Sequence, residues 1–208
     1  ISRHLDLRAR ILKDQGIGYY TIGSSGHEGN AVLGKVFRHT DMAFLHYRSG
    51  ALMAERSRHL HNMDPIRDQI LSLVAAKDDP ISQGRHKVFG SAKLFVPPQT
   101  STIASHLPKA MGAAWSMGRA NRTGFAANIP SDSVILCNFG DASFNHATSQ
   151  SAFNAAQYLA YKGEPLPLVY ICEDNGIGIS VSTPPNWIEN NVKNRQSIEY
   201  IQCNGMHL

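Results

Sequence analysis

The chain has 208 residues, 42% of them apolar and 17% charged, with a formal net charge of +4. That length suits one well-buried domain over residues 1–208, and no aromatic-interleaved basic stripe marks a nucleic-acid binder. No apolar run approaches membrane-spanning length and no signal peptide is visible, which points away from a membrane protein.

The basic excess is densest at the start (Arg3, Arg8, Arg10, Lys13) and would suit an anionic cofactor or an acidic partner. The three cysteines are Cys137, Cys172 and Cys203. Two of them lie in apolar runs, where a thiol acts as a small core residue, and with no CxxC a reducing compartment is expected. The chain opens on an already helical stretch without an initiator Met and stops just after a turn, so a piece of a longer polypeptide is expected.

Residues 2–15 read as a helix closed by Gly16. "SSGHEGNAVLGKVF" opens with Ser25 and carries Glu28 three residues later, a capping-box pattern that predicts a helix over 26–38. "MAFLHYRSG" is a short apolar run ending in a turn at Tyr47-Arg48. "DPIRDQILSLVAA" has Asp64 as N-cap and Pro65 at the first helical position, with Ile66, Ile70, Leu73 and Val74 on one face. Residues 77–106, with Pro80, Gly84, Gly90, Pro97 and Pro98, read as a long loop, which in a compact domain is functional or disordered. Pro108 opens an Ala-rich helix whose small residues permit close packing. "SVILCNF" (133–139) and "LPLVYICE" (166–173) are continuous apolar runs of strand length, as in strands buried on both faces. Between them Ala152, Ala155, Ala156 and Leu159 repeat at helical spacing. Strand, helix and strand make a parallel crossover. The fold class is α/β, a parallel sheet with helices on both faces.

Asp141 and Asn175 each follow one of these strands by about two residues. Ligands of parallel sheets sit beyond the C-terminal strand ends, so the crossover brings both side chains to one edge. Mg²⁺ takes oxygen ligands from one or two carboxylates plus phosphates. Asp141, Asn175 and the Ile177 carbonyl could supply three. A helix beginning near Ser143 would aim N–H groups at the same place, and Gly140 and Gly176 would let backbone come close. Gly-Asp and Asn-Gly are also ordinary turns, and these residues taken alone leave both readings open.

The sequence resembles the thiamine diphosphate enzymes, and among them the alpha subunit of the first component of 2-oxo acid dehydrogenase complexes (pyruvate and branched-chain 2-oxo acid dehydrogenases). The match runs in order through "YYTIGSSGHEGNAVLGKVF", "DMAFLHYRSGALM", "GRHKVFGS", "TSTIASHLPKAMGAAWSMGRA", "VILCNFGDASFN", "ICEDNGIGIS" and "IQCNGMHL". The resemblance implies a thiamine diphosphate-binding fold. It makes Tyr47 and Arg48 holders of the diphosphate, Ser101 and Ile103 neighbours of the aminopyrimidine, and Asp141, Asn175 and Ile177 the Mg²⁺ ligands. Gly140, Ala142 and Ser143 would line the diphosphate. Thr100, Thr102, Ser105 and His106 match a K⁺-binding segment, although His106 stands where relatives carry Gln. His46 would line the substrate pocket.

The implied activity is oxidative decarboxylation of a 2-oxo acid with acyl transfer to a lipoyl group. The implied partners are a lipoyl acyltransferase and a beta subunit or fused beta-like domain bearing the activating Glu, in a two-fold assembly. Without the beta part the chain would be inactive. The setting would be cytoplasmic, or the mitochondrial matrix in a eukaryote. Ala142 in place of a Gly, His146 in place of a Glu and Asp174 in place of an Asn depart from the pattern. Alternatives are a lyase or transketolase-like enzyme using the same cofactor without lipoyl acceptors, and a scaffold that lost the cofactor. A nicotinamide-binding domain is disfavoured because no GxGxxG opens a helix after a strand. His59-x-His61 lacks further ligands at zinc spacing, and His146 could touch Asp141 or lie on the surface.

Overall fold

The computed structural model describes residues 1–207 apart from 20, 21, 86, 87 and 126–128. Tyr20, Thr21, His86, Lys87 and Leu208, which belong to the matching segments quoted above, lie outside the described residues. The chain divides into two compact units, residues 1–101 and 102–207.

The first unit is mostly helical. Helix α1 spans Ser2–Asp14, and Gly16, at φ 70°, ends it in the left-handed region that a side chain would resist. The helix expected over 26–38 is shorter. A 3-10 turn covers Glu28–Asn30 and α2 covers Ala31–Val36. Glu28 does reach back as a capping box would, but to the Gly26 N–H at 2.7 Å. The Asn30 side chain is drawn away from its own helix and accepts from the Leu52 N–H at 2.8 Å. That bond ties α2 to α3 (Gly50–Arg56), which approaches so closely that a Cβ on Gly34 would lie 2.5 Å from the Leu52 carbonyl. Strand β1, Ala43–Phe44, is buried and precedes α3. Helix α4, Pro65–Leu73, starts as its sequence predicts, with Asp64 accepting from the Arg67 N–H at 2.9 Å.

The stretch read as one loop over 77–106 contains a hairpin. Strands β2 (Phe89–Ser91) and β3 (Val96–Gln99) pair antiparallel with a register shift. Pro97 and Pro98 hid β3, because Pro removes a ladder donor and reads as loop. Leu94, at the tip of this hairpin, and Arg56 are both buried. Arg56 Nη2 donates to the carbonyls of Leu94 at 3.0 Å, His39 at 3.0 Å and Asp41, and Nε donates to Leu94 at 3.1 Å. Burial pulls the Arg56 pKa down to about 10, with the Asp41 charge opposing.

The second unit carries the crossover. Helix α5 spans Leu107–Thr123 with Pro in its first turn and Gly124 at φ 67° after its end. Its buried face is Leu107, Ala110, Ala114, Met117 and Gly118, and the backbone of Pro165 occupies the space that a Gly118 side chain would need. Strand β4 (Ile135–Gly140), helix α6 (Ala147–Tyr161) and strand β5 (Leu168–Glu173) follow, with β4 and β5 parallel from Ile135↔Leu168 to Gly140↔Glu173. The unit is α/β as expected, but the two strands differ. Every residue of β4 is buried, whereas β5 is half-covered, with Val169 38% exposed. An apolar run in sequence specifies a strand without saying how many faces are covered. Phe139, Phe144, Phe153 and Tyr170 form an aromatic cluster, with Phe153 stacked on Phe144 at 5.2 Å and edge-on to Tyr170 at 5.0 Å. Cys137 is fully buried, and burial pushes its thiol pKa up, as for a small core residue. The last described helix, α7, spans Trp187–Val192. No described helix is long and apolar enough to cross a membrane.

Candidate functional site

In the first unit the chain leaves β1 through Leu45 and His46 and turns at Tyr47-Arg48, just before Ser49 at the N-terminal boundary of α3. Tyr47 is buried, its ring 4.2 Å from His46, whose ring lies 5.2 Å from that of His27. The Arg48 guanidinium lies 5.1 Å over the Tyr47 ring and donates through Nη1 to the Gly23 carbonyl at 2.6 Å. Stacking and a backbone acceptor fix the fork's direction while leaving further N–H donors for a planar or tetrahedral oxyanion. Ser101 is half-buried at a bend just beyond β3.

In the second unit the parallel register sets the site. Gly140 lies opposite Glu173, so Asp141 and Asp174 are the next residues along their strands. The α-helix expected from Ser143 begins at Ala147 instead. Asp141–Ser143 form a 3-10 turn, anchored by Phe144 in the aromatic cluster and by Ser149 Oγ donating to the Ser143 carbonyl at 2.7 Å. Ser149 is fully buried. Asp141 is itself 3% exposed and accepts from the Thr183 hydroxyl. Asn175 Oδ1 accepts from the Ile177 N–H at 3.1 Å, and Asp174 Oδ1 accepts from the Gly176 N–H at 3.3 Å. Beyond them the chain doubles back. Ile177 bridges Ser182, and this return brings Thr183 to Asp141. Ala142 is exposed and faces Gly178, where an added Cβ would lie 3.2 Å from the Ala142 methyl. Ile103 is 41% exposed.

This edge is strongly acidic. Burial and then the Asp141 charge raise the Asp174 pKa. The Cys172 thiol is pushed up by burial and by the charges of Asp141, Asp174 and Glu173. Glu173 accepts from Asn138 Nδ2 at 2.8 Å. A nearly buried carboxylate beside a second carboxyl group is a repulsive arrangement, which a bound cation relieves. The oxygens gathered here (Asp141, Asn175 and the backbone of the 176–178 return) are those that a hard divalent ion takes. The residues present fit an Mg²⁺–phosphate group.

Several candidates have other engagements. His106 is buried, donates through Nε2 to the Asn138 carbonyl at 2.9 Å, and is held neutral by burial, its pKa lowered to about 4. Ser105 Oγ donates to the Thr102 carbonyl at 3.1 Å. His146 is exposed and caps α6 through Nδ1, which accepts from the Thr148 N–H at 3.2 Å. His59 donates to the Gly34 carbonyl at 2.8 Å, and no metal-competent cluster among the described residues includes it or His61. Sequence reasoning missed Thr183 as the Asp141 partner, since no motif links positions 42 residues apart. It also missed the Asp141–Asp174 pair, which follows only from the register.

The "Dehydrogenase E1 component" family model matches residues 1–207. The chain is 27% identical over 187 residues to the 2-oxoisovalerate dehydrogenase subunit alpha, mitochondrial, of Homo sapiens, covering 86% of this chain and 37% of that protein. It is 27% identical over 148 residues to the Bos taurus subunit, covering 69% of this chain and 28% of that one. It is 35% identical over 95 residues to the 2-oxoisovalerate dehydrogenase subunit alpha 2, mitochondrial, of Arabidopsis thaliana, covering 46% and 17%. The chain thus spans a little over a third, or less, of the length of these curated relatives.

Proposed function

The chain belongs to the dehydrogenase E1 component family, and from that premise we propose that it supplies the Mg²⁺–diphosphate part of a thiamine diphosphate-dependent 2-oxo acid dehydrogenase. The observation that carries this reading is the acidic edge, where one parallel crossover delivers Asp141 and Asn175 to the same strand ends. Asp141, Asn175 and the Ile177 carbonyl hold Mg²⁺. Tyr47 and the oriented fork of Arg48 bind diphosphate oxygens, and Arg suits them because it offers two parallel donors. Gly140, Ala142 and Ser143 bring backbone to the diphosphate. Ser101 and the exposed Ile103 flank the aminopyrimidine, and His46 lines the substrate pocket. When bound, thiamine diphosphate supplies the electron sink for decarboxylating a 2-oxo acid. The protein's share is to bind, orient and exclude water.

The beta part, separate or fused, brings the activating Glu, and the acyl unit passes to the lipoyl group of an acyltransferase. The working unit is a two-fold assembly, in the cytoplasm or, in a eukaryote, the mitochondrial matrix. K⁺ stays outside the proposal because His106 Nε2 is committed to the Asn138 carbonyl. The scaffold reading rests on Ala142 and Asp174. Against it, Gly178 leaves room for the extra methyl of Ala142, and Asp174 adds negative charge where a cation is wanted.

The test is titration calorimetry of thiamine diphosphate, with and without Mg²⁺, on the full native polypeptide together with its beta part. The expected result is Mg²⁺-dependent binding that weakens about 100-fold or more in Asp141→Ala, as for a lost metal carboxylate. No binding by the complete assembly would sink the enzyme reading.

A further inference from the structure

The peptide group between Gly23 and Ser24 is held at both poles. Its carbonyl accepts from Arg48 Nη1 at 2.6 Å, and its N–H donates to Asp6 Oδ2 at 2.7 Å. Ser24 Oγ donates to the same oxygen at 3.0 Å and is itself joined to Ser2 Oγ on α1. A guanidinium at the oxygen end and a carboxylate at the N–H end both align with the amide dipole, so each bond polarises the other. Asp6 therefore acts as the counter-charge of Arg48 across one peptide plane. A side chain at residue 23 would push against Asp6. A Cβ there would lie 3.0 Å from Asp6 Oδ2 and 3.2 Å from its Cγ. Asp6, Ser24 and Tyr47 also line one cavity, so carboxylate, peptide and the ring under Arg48 share a wall.

We propose that Asp6, on α1, is a positioning residue for the anion-binding Arg48, acting through the Gly23–Ser24 peptide. Arg48 has one nitrogen fixed and the rest of its fork available, and rotamer freedom that binding would otherwise remove is already lost. The proposal rests on the diphosphate-binding reading of Arg48.

A double-mutant cycle on the native polypeptide with its beta part tests it, reading the calorimetric Kd of thiamine diphosphate with Mg²⁺. Asp6→Asn keeps an acceptor for Ser24 and removes the charge. It should weaken binding about tenfold in the wild-type background, the size of one charge-assisted hydrogen bond. In an Arg48→Lys background, where the fork is gone, the same change should cost less than about twofold, because coupled residues lose their effect together. The melting temperature of the cofactor-free protein should hardly move between wild type and Asp6→Asn. Equal Asp6→Asn losses in both backgrounds, or none in the wild type while Arg48→Lys still weakens binding, would overturn the proposal and leave the function standing. Wild-type binding that Arg48→Lys does not change, or no binding at all, would overturn the Arg48 reading and the proposal with it.

Discussion

The Tyr47-Arg48 turn and the Asp141–Asp174 edge handle charge in opposite ways. At the turn, the cation is stacked on a buried ring and answered, one peptide away, by Asp6. At the edge, Asp141 is almost fully buried, accepts from the Thr183 hydroxyl, and faces the Asp174 carboxyl group. The first region is complete as protein alone. The second carries like-charge repulsion that a proton on Asp174 or a bound cation relieves. Preorganisation thus means two things in one chain: a donor whose freedom has been lost before binding, and an acceptor set that is unfavourable until binding occurs.

Three experiments sharpen or break that contrast. The largest effect is expected from Arg56→Met. It strips donors from the carbonyls of Leu94, His39 and Asp41 in a dry setting and should cost about 4 kcal/mol of unfolding free energy in denaturant titrations. The lost rigidity should also appear as faster amide exchange around Asp41 and Leu94. A loss below about 1 kcal/mol would mean that Arg56 braces the hairpin tip and the 39–41 segment less tightly than its hydrogen bonds imply.

Next comes acid. His106 has a folded pKa of about 4, below its ordinary value of about 6.5, so the unfolded chain takes up the proton first. Stability is therefore full above about pH 6.5 and declines as pH falls through the window down to about 4, by about 3 kcal/mol in all. His106→Gln should flatten this slope. If the slope survives that change, the acid sensitivity belongs to other groups.

The smallest effect belongs to Thr183→Val. Removing the hydroxyl should lower the stability of the cation-free protein by about 1 kcal/mol, the net worth of one hydrogen bond. The melting-temperature rise on adding Mg²⁺ and thiamine diphosphate should meanwhile grow, since Asp141 has lost its stand-in partner. An unchanged rise would argue that Thr183 and the cation do not compete.

Much of this was legible in the sequence. Asp64-Pro65 announced α4, and the spacing of Asp141 and Asn175 around a helical repeat announced the crossover edge, because capping and periodicity are local signals. The features that escaped are non-local. Asn30 reaches across to the Leu52 amide, and the first turn is a 3-10 turn, so α2 proper is shorter than its capping box promised. Strand β3 was hidden by two prolines. Thr183 and Asp6 reach partners 42 and 18 residues away, and nothing in either neighbourhood marks them. Side chains recruited by tertiary geometry leave no periodic trace.

The meeting of Ala142 with Gly178 has a consequence for how such chains can change over time. A methyl at position 178 would sit 3.2 Å from the Ala142 methyl and 3.2 Å from the Val181 carbonyl. The Val181 carbonyl crowds that methyl whatever stands at 142, and the Ala142 methyl crowds it a second time, so the neighbours must give by a few tenths of an ångström on two sides. A change at 178 is therefore easier to accommodate when 142 is Gly than when it is Ala, and the fitness of one position depends on the other.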